Sequence, residues 1–194
     1  ACLQAMGQKF TASFTPAGSG DFSGRVLLYL SKESKSPKDD MPGVFSFPCF
    51  SIDVKDVKPG QKVVFDDAAV SYPAALSDIE RGIYYAQVVW DRNEGGRAIG
   101  GSPGNMYNNA IVASITKDRT KSFDIVCSEV IKEASFTETQ FVKELKSPSA
   151  LLTAFYKRAT SVNAAVILPK EYFSQPNRKF PVLYWVSGYV GDYH

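Results

Sequence analysis

Histidine is almost missing from this 194-residue chain, and the single one, His194, is also the last residue. That scarcity excludes an interior histidine base and any site built from several imidazole ligands. Cysteine is nearly as sparse: Cys2, Cys49 and Cys127 show no C-x-x-C spacing, so no metal site is expected. No stretch reaches the roughly 18 apolar residues of a membrane-spanning helix. Neither sign of charge dominates, since 22 Lys and Arg stand against 20 Asp and Glu, mixed along the chain. A nucleic-acid partner, which requires a clustered basic surface, is therefore not expected. The glycine-rich residues 95–104 match neither a G-x-x-x-x-G-K-[ST] loop nor a G-x-G-x-x-G turn, and no cofactor is expected.

What remains is ordinary globular material, 44% hydrophobic and 22% charged, enough to form a packed core. The length suits one domain and part of another. Residues 1–8 form a tail or the remnant of a signal peptide. Ala5-Met6-Gly7 fits the small-x-small cleavage pattern and points to an exported protein, periplasmic or extracellular. Cys2 is a candidate lipid-bearing residue in the same compartment.

Residues 9–133 carry short strand candidates separated by turn chemistry. Phe10, Ala12 and Phe14 alternate along 9–14, and further candidates fall at 24–30, 44–54, 62–65, 83–90, 110–116 and 122–131. Pro48 argues for an edge or bulged strand. Residues 32–42, polar and proline-bearing, form a solvated loop. This spacing predicts a mainly β fold, a β-sandwich. Within it, Leu76, Ile79, Gly82 and Tyr84 resemble the tyrosine corner of immunoglobulin-like sandwiches, in which a tyrosine hydroxyl bonds back to upstream backbone, with Tyr85 as the alternative tyrosine. Cys49 and Cys127 lie in apolar runs and are expected as buried thiols, or as a disulfide in an oxidising compartment. Asp39-Asp40 and Asp66-Asp67 are adjacent carboxylates that point apart, which suits turns better than glycoside hydrolysis. Trp90, Tyr72, Tyr84, Tyr85 and Tyr107 are expected mostly in the core rather than in a sugar-binding platform.

After Ser135 the period changes, and residues 134–160 are expected as a helical linker. Thr137-Glu138-Thr139-Gln140 fits a capping box ahead of Phe141, Val142 and Leu145. Ser147-Pro148 supplies a second helix start ahead of Leu151, Leu152 and Phe155. A strand follows at 162–168, then a polar stretch, then the nearly continuous apolar run Phe180-Pro181-Val182-Leu183-Tyr184-Trp185-Val186-Ser187. Such a run is the pattern of a central strand buried on both faces of a parallel sheet. Residues 161–194 thus read as the incomplete start of an α/β domain, and the chain as part of a longer one.

The run Val166-Ile167-Leu168-Pro169, then Tyr172, Lys179-Phe180-Pro181-Val182-Leu183-Tyr184 and Ser187-Gly188-Tyr189-Val190-Gly191 resembles the entry to the catalytic domain of esterase-D-like and feruloyl-esterase-like α/β-hydrolases. The preceding residues are similar to the accessory N-terminal region of secreted bacterial members of that group, with Trp90-Asp91-Arg92-Asn93, Gly95-Gly96-Arg97 and Ser102-Pro103-Gly104-Asn105 carrying the likeness. The resemblance implies a serine ester hydrolase acting on carboxylic or carbohydrate-linked esters. It implies backbone N–H donors of an oxyanion hole at Tyr189, with Val190 as second choice. Ser187 stands where histidine or aspartate is usual, and Val190 precedes Gly191 where a second glycine is usual. No G-x-S-x-G elbow occurs in the sequence, so the catalytic triad is expected beyond His194 and the chain itself is expected to be inactive. The other reading is a non-catalytic sandwich that binds polysaccharide or a catalytic domain of the same protein.

Overall fold

The computed structural model describes residues 8–15, 20–40, 47–92, 98–188 and 193. The chain divides into two compact units, Ala1–Glu133 and Ala134–His194. The protein is mainly β.

Among the described residues the first unit contains ten strands: β1 (Lys9–Phe14), β2 (Phe22–Ser31), β3 (Cys49–Val57), β4 (Val63–Phe65), β5 (Val70–Tyr72), β6 (Gly82–Asp91), β7 (Met106–Tyr107), β8 (Ile111–Ile115), β9 (Ser122–Cys127) and β10 (Glu129–Val130). They form two sheets. In the smaller, β1 lies between antiparallel β4 and parallel β9, placing Phe10 opposite both Phe65 and Phe123. In the larger the order is β10-β7-β6-β2-β3-β5, with β8 also paired to β6. β6 is long enough to hold two partners end to end on one side, Trp90 opposite Met106 and Tyr85 opposite Val112.

The period-2 alternation of β1 explains why the sheets stack. Phe10, Ala12 and Phe14 are fully buried, and they share one hydrophobic core with Val26, Leu28, Phe50, Val88 and Trp90 of the larger sheet. Trp90 is its centre, with the rings of Phe14 and Phe22 set edge-on at 4.9 and 5.0 Å. Aromatic rings meeting edge to face add to the burial of their area. The arrangement is sandwich-like, as the turn-punctuated sequence predicts.

β2 and β6 depart from simple alternation because their outer face is covered as well. Leu27, Tyr29 and Val89 form a second buried cluster with Phe47, Ile99 and Tyr107 packed on it. The cover is made by two 3-10 turns, Pro37–Asp39 and Ile99–Gly101. They touch so closely that a Cβ added at Gly100 would lie 1.7 Å from the Lys38 carbonyl oxygen. Of residues 32–42, expected as solvated loop, 32–40 are described and contribute structure: the Lys38 backbone N–H donates to the buried Gln87 Oε1 at 2.9 Å.

Pro48 marks the strand differently from expectation. β3 begins at Cys49, just after it, and is flanked by β2 and β5 rather than forming an edge, while the bulge that the expectation also allowed falls at the other end of the strand, where the register against β2 shifts between Phe22 and Gly24. Pro48 has no N–H to offer the ladder, but its carbonyl accepts from the Leu30 N–H at 2.9 Å. The part of that expected strand at 44–46 lies outside the described residues.

The second unit consists of β11 (Val142–Pro148), α1 (Ala150–Tyr156) and β12 (Ser161–Ile167). β11 and β12 pair antiparallel along their whole length, from Val142 opposite Ile167 to Pro148 opposite Ser161, and α1 bridges their ends. The expected first helix of a linker is therefore a strand. Thr139 Oγ1 accepts from the N–H groups of Phe141 and Val142, a local turn that competes with a helix start. The ladder to β12 then satisfies the backbone that follows. The second helix forms, but its cap is Ser149, whose Oγ accepts from Leu152 N–H at 3.3 Å, while Pro148 ends the strand before it. Lys157 closes the helix in the left-handed conformation at φ 57°.

The run at 180–187 is the largest departure. It forms no strand, and Val182, Leu183, Tyr184, Trp185 and Val186 are 72 to 87% exposed. Among the described residues β11 and β12 pair only with each other, so no sheet edge is engaged by the run. A sequence built for burial on two faces has here neither face covered.

Candidate functional site

Tyr189, Val190 and His194, together with Cys2, lie outside the described residues. Of the loop that resembles the hydrolase entry, Ser187 is half-buried and Gly188 exposed. The stretches of the first unit that carry the family likeness have structural work in this fold. Trp90 is core. Asn105 is fully buried and ties the end of β6 to the Ile99–Gly101 turn: its Oδ1 accepts from Arg92 N–H at 3.0 Å, and its Nδ2 donates to Asp91 Oδ1 and the Ile99 carbonyl, each at 3.0 Å. Ser102 Oγ donates to the Ala98 carbonyl at 2.9 Å. Gly95, Gly96 and Arg97 lie outside the described residues.

Tyr84 makes the bond its spacing suggests. Its hydroxyl donates to the Glu80 carbonyl at 2.9 Å, with Leu76 and Ile79 buried beneath. The carboxylates of the second adjacent pair serve structure: Asp66 Oδ1 accepts from Ala68 N–H within a local turn, and Asp67 Oδ1 accepts from Ser77 N–H in a later segment. Trp90 and Tyr84 are buried and Tyr72 is exposed on β5, so these rings form no common platform.

Cys49 and Cys127 are both free, the first half-buried and the second buried. Burial pushes the Cys49 thiol up to about 11 and the Cys127 thiol up to about 12, the neighbouring Trp90 indole opposing the latter more weakly. A thiol held neutral in this way is neither a nucleophile nor a metal ligand at ordinary pH. Among the described residues no group of three or more His, Cys, Asp or Glu side chains is placed to hold a metal ion.

What the first unit does present is an open cleft of about 960 Å³ at one end of the larger sheet. It lies where β2 ends, β3 begins and β6 begins. The floor is apolar, made by Leu30, Ile79 and the ring of Tyr84, all buried. Phe47, Pro48 and Pro73 wall it. Glu33, Asp40, Asp78 and Glu80 stand at the cleft, with Lys32 the single cation among its described lining residues. Lys32 Nζ pairs with Glu80 Oε2 at 2.5 Å and lies 5.5 Å from the centre of the Tyr84 ring. Their hydrogen bond raises the Lys32 pKa and lowers that of Glu80. Both side chains are solvent-exposed, so the pair contributes little to stability.

Nothing in the sequence pattern pointed to this cleft. Its lining comes from chain segments some fifty residues apart, and each, taken alone, has the composition of a loop. The only local signal is the density of proline and acidic residues around 33–48 and 73–80.

Comparison with known proteins finds no matching family profile, no matching curated protein and no matching solved structure.

Proposed function

We propose that this chain is the accessory sandwich and the opening strands of an exported serine ester hydrolase. The observation that carries the reading is the second unit. A two-stranded ribbon is followed by the run Phe180 to Val186, which is rich in strand-forming apolar residues yet largely exposed. That is the surface expected of the first strands of an α/β sheet before their neighbours are added. The loop after it, Ser187-Gly188-Tyr189-Val190-Gly191, is glycine-bearing, as a strand-to-helix loop that offers N–H donors to a developing oxyanion needs to be. In this reading Tyr189 and Val190 are the candidate donors, the serine nucleophile, acid and histidine lie beyond His194, and the reaction is attack on an ester carbonyl through an acyl-enzyme.

An immunoglobulin-like assignment for the first unit belongs to the same proposal, supported by the two stacked sheets and the Tyr84 hydroxyl bond to Glu80. Export is supported by Ala5-Met6-Gly7. The competing role for the sandwich, a polysaccharide-binding module, has less support: Trp90 and Tyr84 are consumed by the core and leave no flat exposed array of rings.

The test is the reading frame beyond the codon for His194. Some two hundred further residues carrying G-x-S-x-G and a later histidine are expected. The longer protein should hydrolyse p-nitrophenyl acetate, lose that activity when the elbow serine becomes alanine, and gain nothing from the 194-residue chain alone. A stop codon directly after His194, or turnover by the 194-residue chain above the boiled-protein rate, overturns the proposal.

A further inference from the structure

We infer that the cleft of the first unit is a docking site for an extended peptide segment that carries a lysine or arginine between apolar residues. The inference rests on the sandwich alone and does not depend on the esterase reading.

Three observations carry it. The first is size: about 960 Å³ lies at the upper end of what a bound small molecule or short peptide occupies. The space greatly exceeds that of a single hydrated cation. The second is the character of its surface. Phe47, Pro48 and Pro73 offer the apolar area that a ligand can reach, while Leu30, Ile79 and Tyr84, 0 to 3% exposed, close the cleft beneath them. The two prolines contribute rigid walls with no N–H of their own. Apolar and aromatic-proline grooves of this kind suit extended or polyproline-type chains, whose side chains project in alternating directions.

The third is charge. Of the four carboxylates at the cleft, Glu80 is matched by Lys32. Glu33, Asp40 and Asp78 have no ion-pair partner among the described residues. They leave the cleft with an excess of negative charge. Apolar walls of Phe47, Pro48 and Pro73 beside unpaired carboxylates complement a side chain with an aliphatic stem and a cationic head, the form of lysine and arginine. A neutral sugar uses neither the charge nor the apolar walls, and an acidic ligand is repelled.

The experiment uses the 194-residue chain, isotope-labelled, and three probes: acetyl-Pro-Leu-Arg-Pro-Leu-amide, the same peptide with glutamate in place of arginine, and free arginine. The expected result is saturable shifts of the Lys32, Asp78 and Tyr84 amides with the arginine peptide only. The dissociation constant should rise about five-fold or more in the exposed double variant Glu33→Gln/Asp78→Asn, and rise again when salt goes from about 50 to about 500 mM, because screening shortens the reach of the rim charges. Asp53→Asn, an exposed carboxylate away from the cleft, should leave it unchanged. Native-like spectra of the variants separate lost binding from lost folding. Shifts outside the cleft, equal binding of the glutamate peptide, equal binding of free arginine, or no shift with any probe at millimolar concentration would each overturn the inference.

Discussion

The two units spend similar chemistry in opposite ways. In Ala1–Glu133, Phe10, Phe14, Phe50 and Trp90 are fully buried. In Ala134–His194, Leu151, Phe155, Ile167 and Trp185 are each more than 75% exposed, and none of the described large apolar side chains of that unit is fully buried. Both have strands with good ladders. The difference is the number of layers: two stacked sheets close a core, whereas the second unit offers one two-stranded ribbon and no second sheet among its described residues. Hydrogen bonding sets local structure in both units, but only the first gains the burial that stabilises a fold.

The sharpest way to break the comparison is at the centre of the first core. Trp90→Ala removes the ring on which Phe14 and Phe22 pack and should cost about 3–5 kcal/mol. Thermal or urea unfolding followed by far-ultraviolet circular dichroism is expected to show the first unit unfolded or nearly so. A loss below about 1 kcal/mol would mean that the two sheets are not stacked on this side chain.

Alkaline pH should weaken the first unit next. Burial raises the pKa of Cys49 to about 11 and of Cys127 to about 12, from an ordinary 9.0, and raises that of Tyr29 as well. An acid whose folded pKa is raised contributes its full stability below the unfolded pKa, and that contribution is lost as pH rises from there toward the folded value. Stability should therefore fall from about pH 9 upward, by about 1.4 kcal/mol per pH unit for each thiol that ionises only on unfolding. The measurement is the unfolding midpoint between pH 7 and 11. Both thiols should also resist iodoacetamide in the native chain at pH 8 and react once it is unfolded; rapid native labelling of Cys127 would contradict its burial.

How much of this was legible in the sequence follows the same division. β1 matched its expected bounds because Phe10, Ala12 and Phe14 alternate against polar neighbours, and the Leu76 to Tyr84 spacing foretold the Tyr84 hydroxyl bond. The second covering of β2 and β6 was not legible, since their near-continuous burial depends on the Pro37–Asp39 and Ile99–Gly101 turns folding over them. β5 and β7 were missed because strands of three and two residues hold too few positions to show a period. The helix expected after Thr137 failed because Phe141, Val142 and Leu145 suit either period, and the ladder to β12 decided between them. The cleft was illegible because its residues converge only after folding.

Two smaller changes sharpen what the first unit owes to polar bonds rather than area. Asn108 is buried where β6 passes from β7 to β8, and its Oδ1 accepts from Val88 N–H at 2.7 Å where no strand partner does. Asn108→Ala leaves that N–H without an acceptor in the interior and should cost about 1–3 kcal/mol. Tyr84→Phe keeps the ring and deletes only the bond to the Glu80 carbonyl, so about 1 kcal/mol is expected. Denaturant midpoints at constant slope check both, and a larger effect for Tyr84→Phe than for Asn108→Ala would reverse their order in this account.

The smallest effect is expected at the other tryptophan. Trp185 is 84% exposed, whereas Trp90 is fully buried, and these are the only two in the chain. Trp185→Ala should leave the unfolding midpoint within about 0.5 kcal/mol of the parent, the range of a surface substitution. The same change should remove the red-shifted, acrylamide-quenched part of the fluorescence and leave a blue, protected emission from Trp90. A cost near that of a core residue, or a parent protein that lacks the red-shifted, quenchable emission, would mean that the run at 180–187 is covered in solution and that the second unit closes a core of its own; quenching that persists after the substitution would mean instead that Trp90 is not buried.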